Sequence, residues 1–317
     1  MKTIFEVLHS GTAWLEERGC PDARHSMQSL LTHVLQCDKT RLYLQWERPL
    51  DEDCLAELRP LLQRRGRGEP LQHLLGSVEF YRRPFKSDAR ALIPRPETEE
   101  LVEKALQRVV PKPGLRVLDM GTGSGIIGVT LALELAACSP EVILADISES
   151  AIGLALENAH ALGARVQTYR SDLFSAWAEG GAEETAIRPP SPFDLVLANL
   201  PYIPEGENLA IEVRHDPDTA LFGGPTGLEL IARFLRDVLP YLAPGALVAL
   251  EVGHDQGERT AAMMRALGYA EVCLERDLDG VPRFPMGRAA VEPEMPEFST
   301  GTVSPAAPDG TEEEGPF

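Results

Sequence analysis

The chain contains 317 residues, of which 44% are hydrophobic and 25% charged. This composition is that of a folded protein and excludes disorder throughout. The length favours two domains, because one domain usually has about 100–200 residues. There are 30 Lys and Arg against 49 Asp and Glu, so the net charge is −19. Because phosphate binding needs a surplus of basic residues, this charge counts against direct nucleic-acid binding, although it leaves room for a local basic patch.

Five cysteines are odd in number and form no CxxC pair, and the seven histidines lack ligand spacing. A disulfide framework and a metal site are therefore not expected. Glu6 interrupts the N-terminal segment before an apolar stretch forms, and no later stretch is long and apolar enough to cross a bilayer. We expect a monomeric protein of the cytoplasm, with reduced thiols and no membrane contact.

Residues 1–70 are predicted to form a small helical domain. Apolar side chains recur at helical spacing in two stripes, Met27, Leu30, Leu31, Val34 and Leu35, and Leu55, Leu58, Leu61 and Leu62. A bundle of this size buries little surface alone, so we expect it to pack against the region C-terminal to it. From residue 71 to 85 the spacing becomes strand-like and is broken by Gly76 and Pro84. This pattern predicts a β-hairpin linker over residues 71–90.

Residues 91–290 are predicted to form an α/β domain. Its first helix begins in the segment ALIPRPETEELVE, whose proline and acidic residues suit a helix N-terminus. The strands LRVLD, EVILAD, RVQTY, FDLVLAN and GALVALEV then alternate with helices, which predicts a parallel sheet covered on both faces. Two regions are predicted to lack structure: the acidic, Pro-rich loop 179–192 and the tail 291–317, which has seven acidic residues and no Lys or Arg.

A glycine-rich turn follows the strand LRVLD with GxGxG spacing. It consists of Gly121, Thr122, Gly123, Ser124 and Gly125. Glycines at a strand end let the backbone turn tightly and approach a ligand closely. Asp146 ends the next strand, where a carboxylate can accept both hydroxyls of a ribose. A helix N-cap is the other interpretation of Asp146, but the two motifs together favour a nucleoside-cofactor site.

Asp172 and Leu173 follow the third strand at the same edge of the sheet. Ligands of open α/β sheets collect at the carboxyl ends of the strands. An acidic residue beside an apolar one can hold the edge and the face of an adenine there. An ordinary turn explains the two residues nearly as well.

Asn199, Leu200, Pro201 and Tyr202 follow the strand FDLVLA directly. This arrangement can clamp a planar NH2 group, since the side-chain carbonyl of Asn199 and the main-chain carbonyl of Leu200 can each accept one N–H bond. Two such acceptors orient a nitrogen whose lone pair is delocalised, and they favour the positive charge that grows as it attacks. No ionisable base is needed before the attack. A simple turn is the competing interpretation, and the preceding motifs make it the poorer one.

These motifs resemble those of the peptide-chain-release-factor glutamine N5-methyltransferases of the HemK/PrmC type, over the chain to about Ala290. The segments that carry the resemblance are GEPLQHLLG, ALIPRPETEELVE, LDMGTGSGIIG, ADIS, SDLF, NLPYI, EVRHDPDTALFGGPTGLE and EVGHDQG. A glycine-rich turn is common to many enzymes. IPRPETE together with an N-x-PY motif is much more specific.

The resemblance implies a class I S-adenosylmethionine-dependent methyltransferase fold, with a Rossmann-like seven-stranded sheet whose last strand is antiparallel. It implies that residues 121–125 wrap the methionine end of S-adenosyl-L-methionine, that Asp146 holds its ribose and that Leu173 lies against its adenine. Residues 199–202 would hold the glutamine amide of the GGQ motif of a class 1 release factor. The N-terminal helical domain would help dock that factor.

Leu200 departs from the family pattern, which has proline there, so the loop loses one fixed φ angle. The backbone carbonyl used for recognition survives this change. The NLPY motif also resembles that of enzymes that dimethylate adenine N6 in rRNA. An adenine-N6 methyltransferase acting on RNA or DNA is therefore the alternative function, and the acidic charge of the chain counts against it.

Overall fold

The computed structural model describes residues 1–177 and 192–291. The predicted loop 179–192 and tail 291–317 therefore lie outside the described residues, apart from positions 192 and 291. Among the helices of the described ranges, none is long and apolar enough to cross a membrane.

The N-terminal region is helical. Its helices are α1 (Ile4–Glu16), α2 (Ala23–Val34), α3 (Lys39–Leu44) and α4 (Glu52–Arg65). Thr3 and Glu6 form a capping box at the start of α1, and the side chains of Asp38 and Asp51 accept backbone N–H bonds at the starts of α3 and α4. Both apolar stripes predicted from the sequence pack into one cluster between these helices.

The segment before the hairpin differs from the prediction. The strand-like spacing over residues 71–85 is wrong at its start, because Leu71–Leu75 forms the short helix α5. Leu71 and Leu74 bury one face of this helix, and Gly76 ends it in the left-handed conformation at φ 70°. The antiparallel hairpin then consists of β1 (Ser77–Phe80) and β2 (Arg83–Lys86).

The α/β region begins at α6 (Pro96–Arg108). Its strands are β3 (Arg116–Met120), β4 (Glu141–Asp146), β5 (Gln167–Arg170), β6 (Phe193–Asn199), β7 (Leu242–Glu251), β8 (Ala270–Arg276) and β9 (Pro282–Arg288). Its further α-helices are α7 (Ile126–Glu134), α8 (Glu149–Leu162), α9 (Glu229–Asp237) and α10 (Gly257–Ala266). The periodicity therefore located β4 and β6 to the residue, and missed β8 and β9.

Within the described residues, seven strands form one sheet in the order β5-β4-β3-β6-β7-β9-β8. Strands β3 to β7 pair in parallel, and β9 is antiparallel to both of its neighbours. This confirms the predicted α/β sheet with its antiparallel last strand. Alternate strand residues point into two apolar clusters, so that Val117 belongs to one face and Leu118 to the other. The chain order reverses between β3 and β6, and ligands of open α/β sheets bind at such a point.

The loop after β6 connects the α/β region to the N-terminal helices. Arg65, which is 4% exposed, donates to Ser26 and to the backbone carbonyls of Pro21 and Glu69. Oε1 of Glu212 in the loop lies 2.6 Å from Nη1 of the same arginine. A buried guanidinium needs such a partner because an isolated buried charge is costly. The two regions are therefore joined by an ion pair.

Candidate active site

A cavity of about 230 Å³ opens at the carboxyl ends of β3, β4, β5 and β6. It brings together most of the site residues predicted from the sequence, namely Gly121, Thr122, Gly123, Ser124, Asp146, Asp172, Leu173, Asn199, Leu200 and Pro201. Gly125 and Tyr202 do not line its wall. The parallel sheet explains this convergence, since the ends of its strands meet at one edge.

The glycine-rich turn carries positive φ angles at Gly121, Gly123 and Gly125, of 72°, 54° and 83°. These are left-handed conformations that side chains rarely adopt. A Cβ on Gly125 would also lie 2.9 Å from Cβ of Ala155 in α8. Gly125 therefore lets the start of α7 approach α8 closely, although it does not face the cavity.

Asp119 supports this turn from inside the protein, and sequence reasoning did not assign it a role. It is fully buried, and its Oδ2 accepts hydrogen bonds from Thr122 Oγ1 at 2.5 Å and from the Gly128 amide at 2.9 Å. Burial raises the pKa of this carboxyl to about 7. An acidic residue among the apolar residues Val117, Leu118 and Met120 was the signal available in the sequence.

Asp146 ties the turn after β4 to the glycine-rich turn. Its Oδ2 accepts from the Gly123 amide at 2.9 Å and its Oδ1 accepts from the Ser148 amide at 2.8 Å. Ser148, whose side chain accepts from the Ala151 amide, is the N-cap of α8. The N-cap interpretation of Asp146 is therefore wrong. Because each carboxylate oxygen has two lone pairs, both retain capacity for a ligand in the cavity.

Asp172 and Leu173 line the cavity after β5. The carboxylate of Asp172 pairs with Arg233 of α9, and its backbone carbonyl accepts from the Ser175 amide. Leu173 is buried and has φ 49°. Such a conformation is uncommon for leucine. The residues thus form a turn that also lines the cavity, so the two interpretations of the pair are compatible.

Asn199 ends β6 beside Glu251, its register partner on β7. Its Nδ2 donates to Thr98 Oγ1 at 3.2 Å, and Thr98 Oγ1 donates to Glu251 Oε2 at 2.7 Å. Thr98 and Glu251 are 1% and 2% exposed. Burial raises the pKa of Glu251 to about 7. Sequence reasoning missed both residues as parts of the site, although Thr98 lies inside the quoted segment IPRPETE.

The backbone of Tyr202, the last residue of the Asn-Leu-Pro-Tyr motif, is held by the side chain of Gln256. The buried side chain of Gln256 donates through Nε2 to the Tyr202 carbonyl at 2.8 Å and accepts from the Gly253 amide at 2.9 Å. A side chain on Gly227 would collide with the same Tyr202 carbonyl. Burial raises the pKa of the Tyr202 phenol to about 12, with a smaller contribution from Glu251. Tyr202 thus packs behind the motif instead of lining the cavity.

Two segments that sequence reasoning did not assign to the site complete the cavity wall. They are residues 90–94, which precede α6, and residues 217–220, which follow the loop after β6. Oδ1 of the buried Asp216 accepts from the Ile93 amide at 3.2 Å, and its Oδ2 lies 3.7 Å from Arg95. This contact holds the two segments together across the cavity mouth.

The seven-stranded sheet, with its reversal of chain order between β3 and β6 and its antiparallel strand β9, is that of a class I methyltransferase, and the adjacent strands β3 and β4 place the glycine-rich turn and the carboxylate of Asp146 together at the sheet edge. S-adenosylmethionine is the cofactor of this class.

Comparison with known proteins identifies the family. The model of the PrmC N-terminal domain matches residues 6–76, and that of the Methyltransferase small domain matches residues 100–210. The release factor glutamine methyltransferase of Koribacter versatilis is 35% identical over 90% of this chain and 98% of that protein. Those of Geobacter sulfurreducens and Deinococcus radiodurans are 36% and 37% identical, over 90% of this chain and 96% and 98% of the relatives. The chain belongs to the release factor glutamine methyltransferase family.

Proposed function

We propose that the protein transfers a methyl group from S-adenosyl-L-methionine to the side-chain amide nitrogen (N5) of the glutamine in the GGQ motif of class 1 peptide chain release factors, which modulates translation termination. The observation that carries this proposal is the position of Asn199 and Leu200 in the same cavity as the glycine-rich turn and Asp146. The amide clamp and the nucleoside-cofactor site therefore share one cavity, so a substrate amide held by the clamp would lie close to the cofactor.

The cavity suits the cofactor. Gly123 leaves open space, because a Cβ there would meet nothing closer than Ala91 Cβ at 3.7 Å. Residues 121–124 would surround the methionine end, the Asp146 carboxylate would accept from the ribose hydroxyls, and Leu173 would lie against the adenine. When bound, the cofactor supplies a methyl group on a positively charged sulfur.

The chain's own contribution is to orient and polarise the substrate amide. The carbonyl oxygens of Asn199 and Leu200 accept its two N–H bonds, which fixes the direction of the nitrogen toward the cofactor half of the cavity. Positive charge grows on this nitrogen as it attacks, and two fixed acceptor dipoles stabilise that charge. No protein group has to remove a proton before the attack: the bond from the methyl carbon to sulfur would break as the carbon–nitrogen bond forms, which leaves a neutral thioether, and the methylated amide would then release one proton to solvent.

Residues 1–70 are the proposed docking domain for the release factor. Phe5, Tyr43 and Leu44 of this region are exposed, with Leu44 82% accessible, and the rings of Phe5, Tyr43 and Trp46 pack side by side. Exposed apolar side chains grouped in this way are typical of protein-binding surfaces. In our proposal the protein works in the cytoplasm as a monomer and does not bind nucleic acid directly.

Mass spectrometry of a recombinant class 1 release factor, incubated with this protein and S-adenosylmethionine, tests the function. We expect a gain of one methyl group on the GGQ glutamine, and none with Asn199→Ala or with a release factor carrying GGA. Equal labelling of the GGQ and GGA factors would contradict the proposal. Labelling of RNA or DNA in place of protein would establish the adenine-N6 alternative.

A further inference from the structure

The amide of Asn199 sits in a hydrogen-bond chain whose direction is fixed by chemistry. Thr98 has a single hydroxyl proton, and Glu251 in its ionised form can only accept. The proton of Thr98 must therefore point at Glu251 Oε2, 2.7 Å away. The threonine oxygen is left as an acceptor, so it binds the NH2 group of Asn199 and excludes the amide oxygen.

The hydrogen-bond chain from Asn199 to Glu251 costs folding free energy, and packing alone does not explain why it is present. Glu251 is 2% exposed at the end of an otherwise apolar strand, and a carboxylate is expensive to bury. Thr98 does not cap α6 with its side chain, since the N-cap residue is Arg95 and no side-chain cap bond is present there. The two side chains converge instead on Asn199, and Thr98 lines the same cavity wall.

We propose that Thr98 and Glu251 are positioning residues that hold Asn199 with its amide NH2 turned inward and its carbonyl oxygen Oδ1 turned toward the substrate nitrogen. The inference rests on the proposed function, in which that oxygen accepts an N–H bond of the glutamine amide. A reversed Asn199 would present NH2 to NH2, and the clamp would repel the substrate it has to orient.

Protonation of Glu251 allows the hydrogen-bond chain to run in the opposite direction. A neutral carboxyl can donate to Thr98, whose proton then turns toward Asn199 and favours the flipped amide. Burial, and to a smaller degree the nearby charge of Glu97, raise the pKa of Glu251, whereas Arg283 and the hydrogen bonds from Thr98 and Asn199 lower it, and the resulting pKa is about 7. Tyr202 also faces this carboxylate, and its pKa is about 12, so it stays neutral over the range concerned.

The first test compares Thr98→Val with Thr98→Ser. Valine keeps the shape but loses the hydroxyl, and we expect kcat for release factor methylation to fall on the order of 100-fold, because misorientation of a reacting group costs this much. Serine should restore most of the rate. Thr130→Val is the matched control, since Thr130 is fully buried in α7 and its hydroxyl has no hydrogen-bond partner within the described residues. Equal losses in the valine and serine variants would overturn the proposal.

A second readout does not depend on methyl transfer. The side-chain NH2 resonance of Asn199, assigned by its loss in Asn199→Asp, should exchange slowly with solvent in the wild type and in Thr98→Ser, and fast in Thr98→Val. An unchanged rate of NH2 exchange in Thr98→Val would overturn the proposal that Thr98 and Glu251 position Asn199. If the wild-type enzyme leaves the release factor unmethylated, the proposed function fails, while this exchange measurement still decides the orientation of Asn199.

The third test compares the pH profiles of the wild type and Glu251→Gln. It leaves the threonine in place, so it can be carried out even if Thr98→Val fails to fold. We expect kcat of the wild type to fall as the pH drops below about 7, where Glu251 becomes protonated. Glu251→Gln cannot titrate at this position, so the part of the acid limb that Glu251 causes should be absent from its profile, while titrations of Asp119, whose pKa is also about 7, and of the release factor itself appear in both. Superimposable pH profiles of the wild type and Glu251→Gln would refute the proposed role of Glu251 in positioning Asn199.

Discussion

Gly121 and Leu200 contact each other across the boundary between the glycine-rich turn and the Asn-Leu-Pro-Tyr motif. A Cβ built on Gly121 would lie 2.8 Å from Cδ2 of Leu200. The leucine that stands where the family pattern has proline is buried, with 4% of its surface exposed. The side chain that distinguishes this chain from the pattern therefore packs on the turn assigned to the cofactor.

Gly121→Ala should impair both halves of the cavity. The φ of 72° disfavours alanine by about 1–2 kcal/mol, and the added methyl group would push Leu200 away. Gly114→Ala is the matched control, because Gly114 has φ 66° with nothing within 4 Å of its Cβ position. Both variants should lose unfolding free energy through the strained φ, and Gly121→Ala should lose more because it displaces Leu200. Weaker cofactor binding by calorimetry and slower methyl transfer should appear in Gly121→Ala alone. Equal cofactor affinity in the two variants would contradict the contact.

Gln256→Glu should release the Asn-Leu-Pro-Tyr motif. Glutamate at this buried position cannot donate to the Tyr202 carbonyl, and it would turn a second acceptor toward it. Loss of a buried hydrogen bond with one partner left unpaired costs about 1–3 kcal/mol. Urea unfolding should detect this cost, and kcat should fall because the loop is no longer held. Gln36→Glu is the control, since Gln36 also donates to a backbone carbonyl but is exposed; comparable effects of the two changes would argue against a specific role of Gln256.

Stability should decline as the pH rises from 5 to 8. Burial raises the pKa of Glu251 from 4.5 to about 7 in the folded state, so its stabilising contribution is complete below about pH 4.5 and is lost as the pH rises through 7. One pKa unit corresponds to about 1.4 kcal/mol, which makes the share of Glu251 about 3 kcal/mol at most. The unfolding free energy of Glu251→Gln should therefore decline less with pH. Asp119, whose pKa is also raised to about 7, contributes to the pH dependence of the unfolding free energy in both proteins.

Urea titrations at pH 5, 6.5 and 8 measure this difference. Glu207→Gln, in the exposed part of the loop after β6, controls for the loss of one negative charge. Parallel stability curves for the wild type and Glu251→Gln would show that the buried carboxylate does not titrate in this range.

Glu212→Gln should loosen the loop after β6 from the N-terminal helices. It removes the charge that lies 2.6 Å from the buried Arg65, and because Glu212 is 32% exposed we expect a loss of about 1–2 kcal/mol in unfolding free energy. The same loop leads into residues 217–220 of the cavity wall. KM for the release factor should rise while cofactor affinity stays constant. Glu207→Gln again serves as the control, and an unchanged KM would separate the ion pair from substrate binding.

Periodicity and motif spacing were sufficient to predict the sheet and most of the cavity. Strands such as EVILAD and FDLVLAN are continuous apolar runs bounded by turn residues, a pattern that local sequence reveals. The helix at Leu71–Leu75 was not recognised because five residues are too few to display a helical period. Thr98, Glu251 and Gln256 were not predicted as site residues because the contacts that tie them to the site join residues at least 54 positions apart along the chain. Spacing within a motif contains no information about such distant contacts.

The reversal of chain order between β3 and β6 separates the residues assigned to the cofactor from those assigned to the substrate amide. Everything assigned to the cofactor's nucleoside and methionine parts follows β3, β4 or β5, whereas the amide clamp begins at the end of β6 and its supports are Glu251 at the end of β7, Gln256 after it and Thr98 of α6. Loops on the second side can lengthen or change sequence without altering the first side, except where Leu200 touches Gly121. A change of methyl acceptor is therefore accessible to this fold through one half of the sheet, and the identity of residue 200 limits how independently that half can vary.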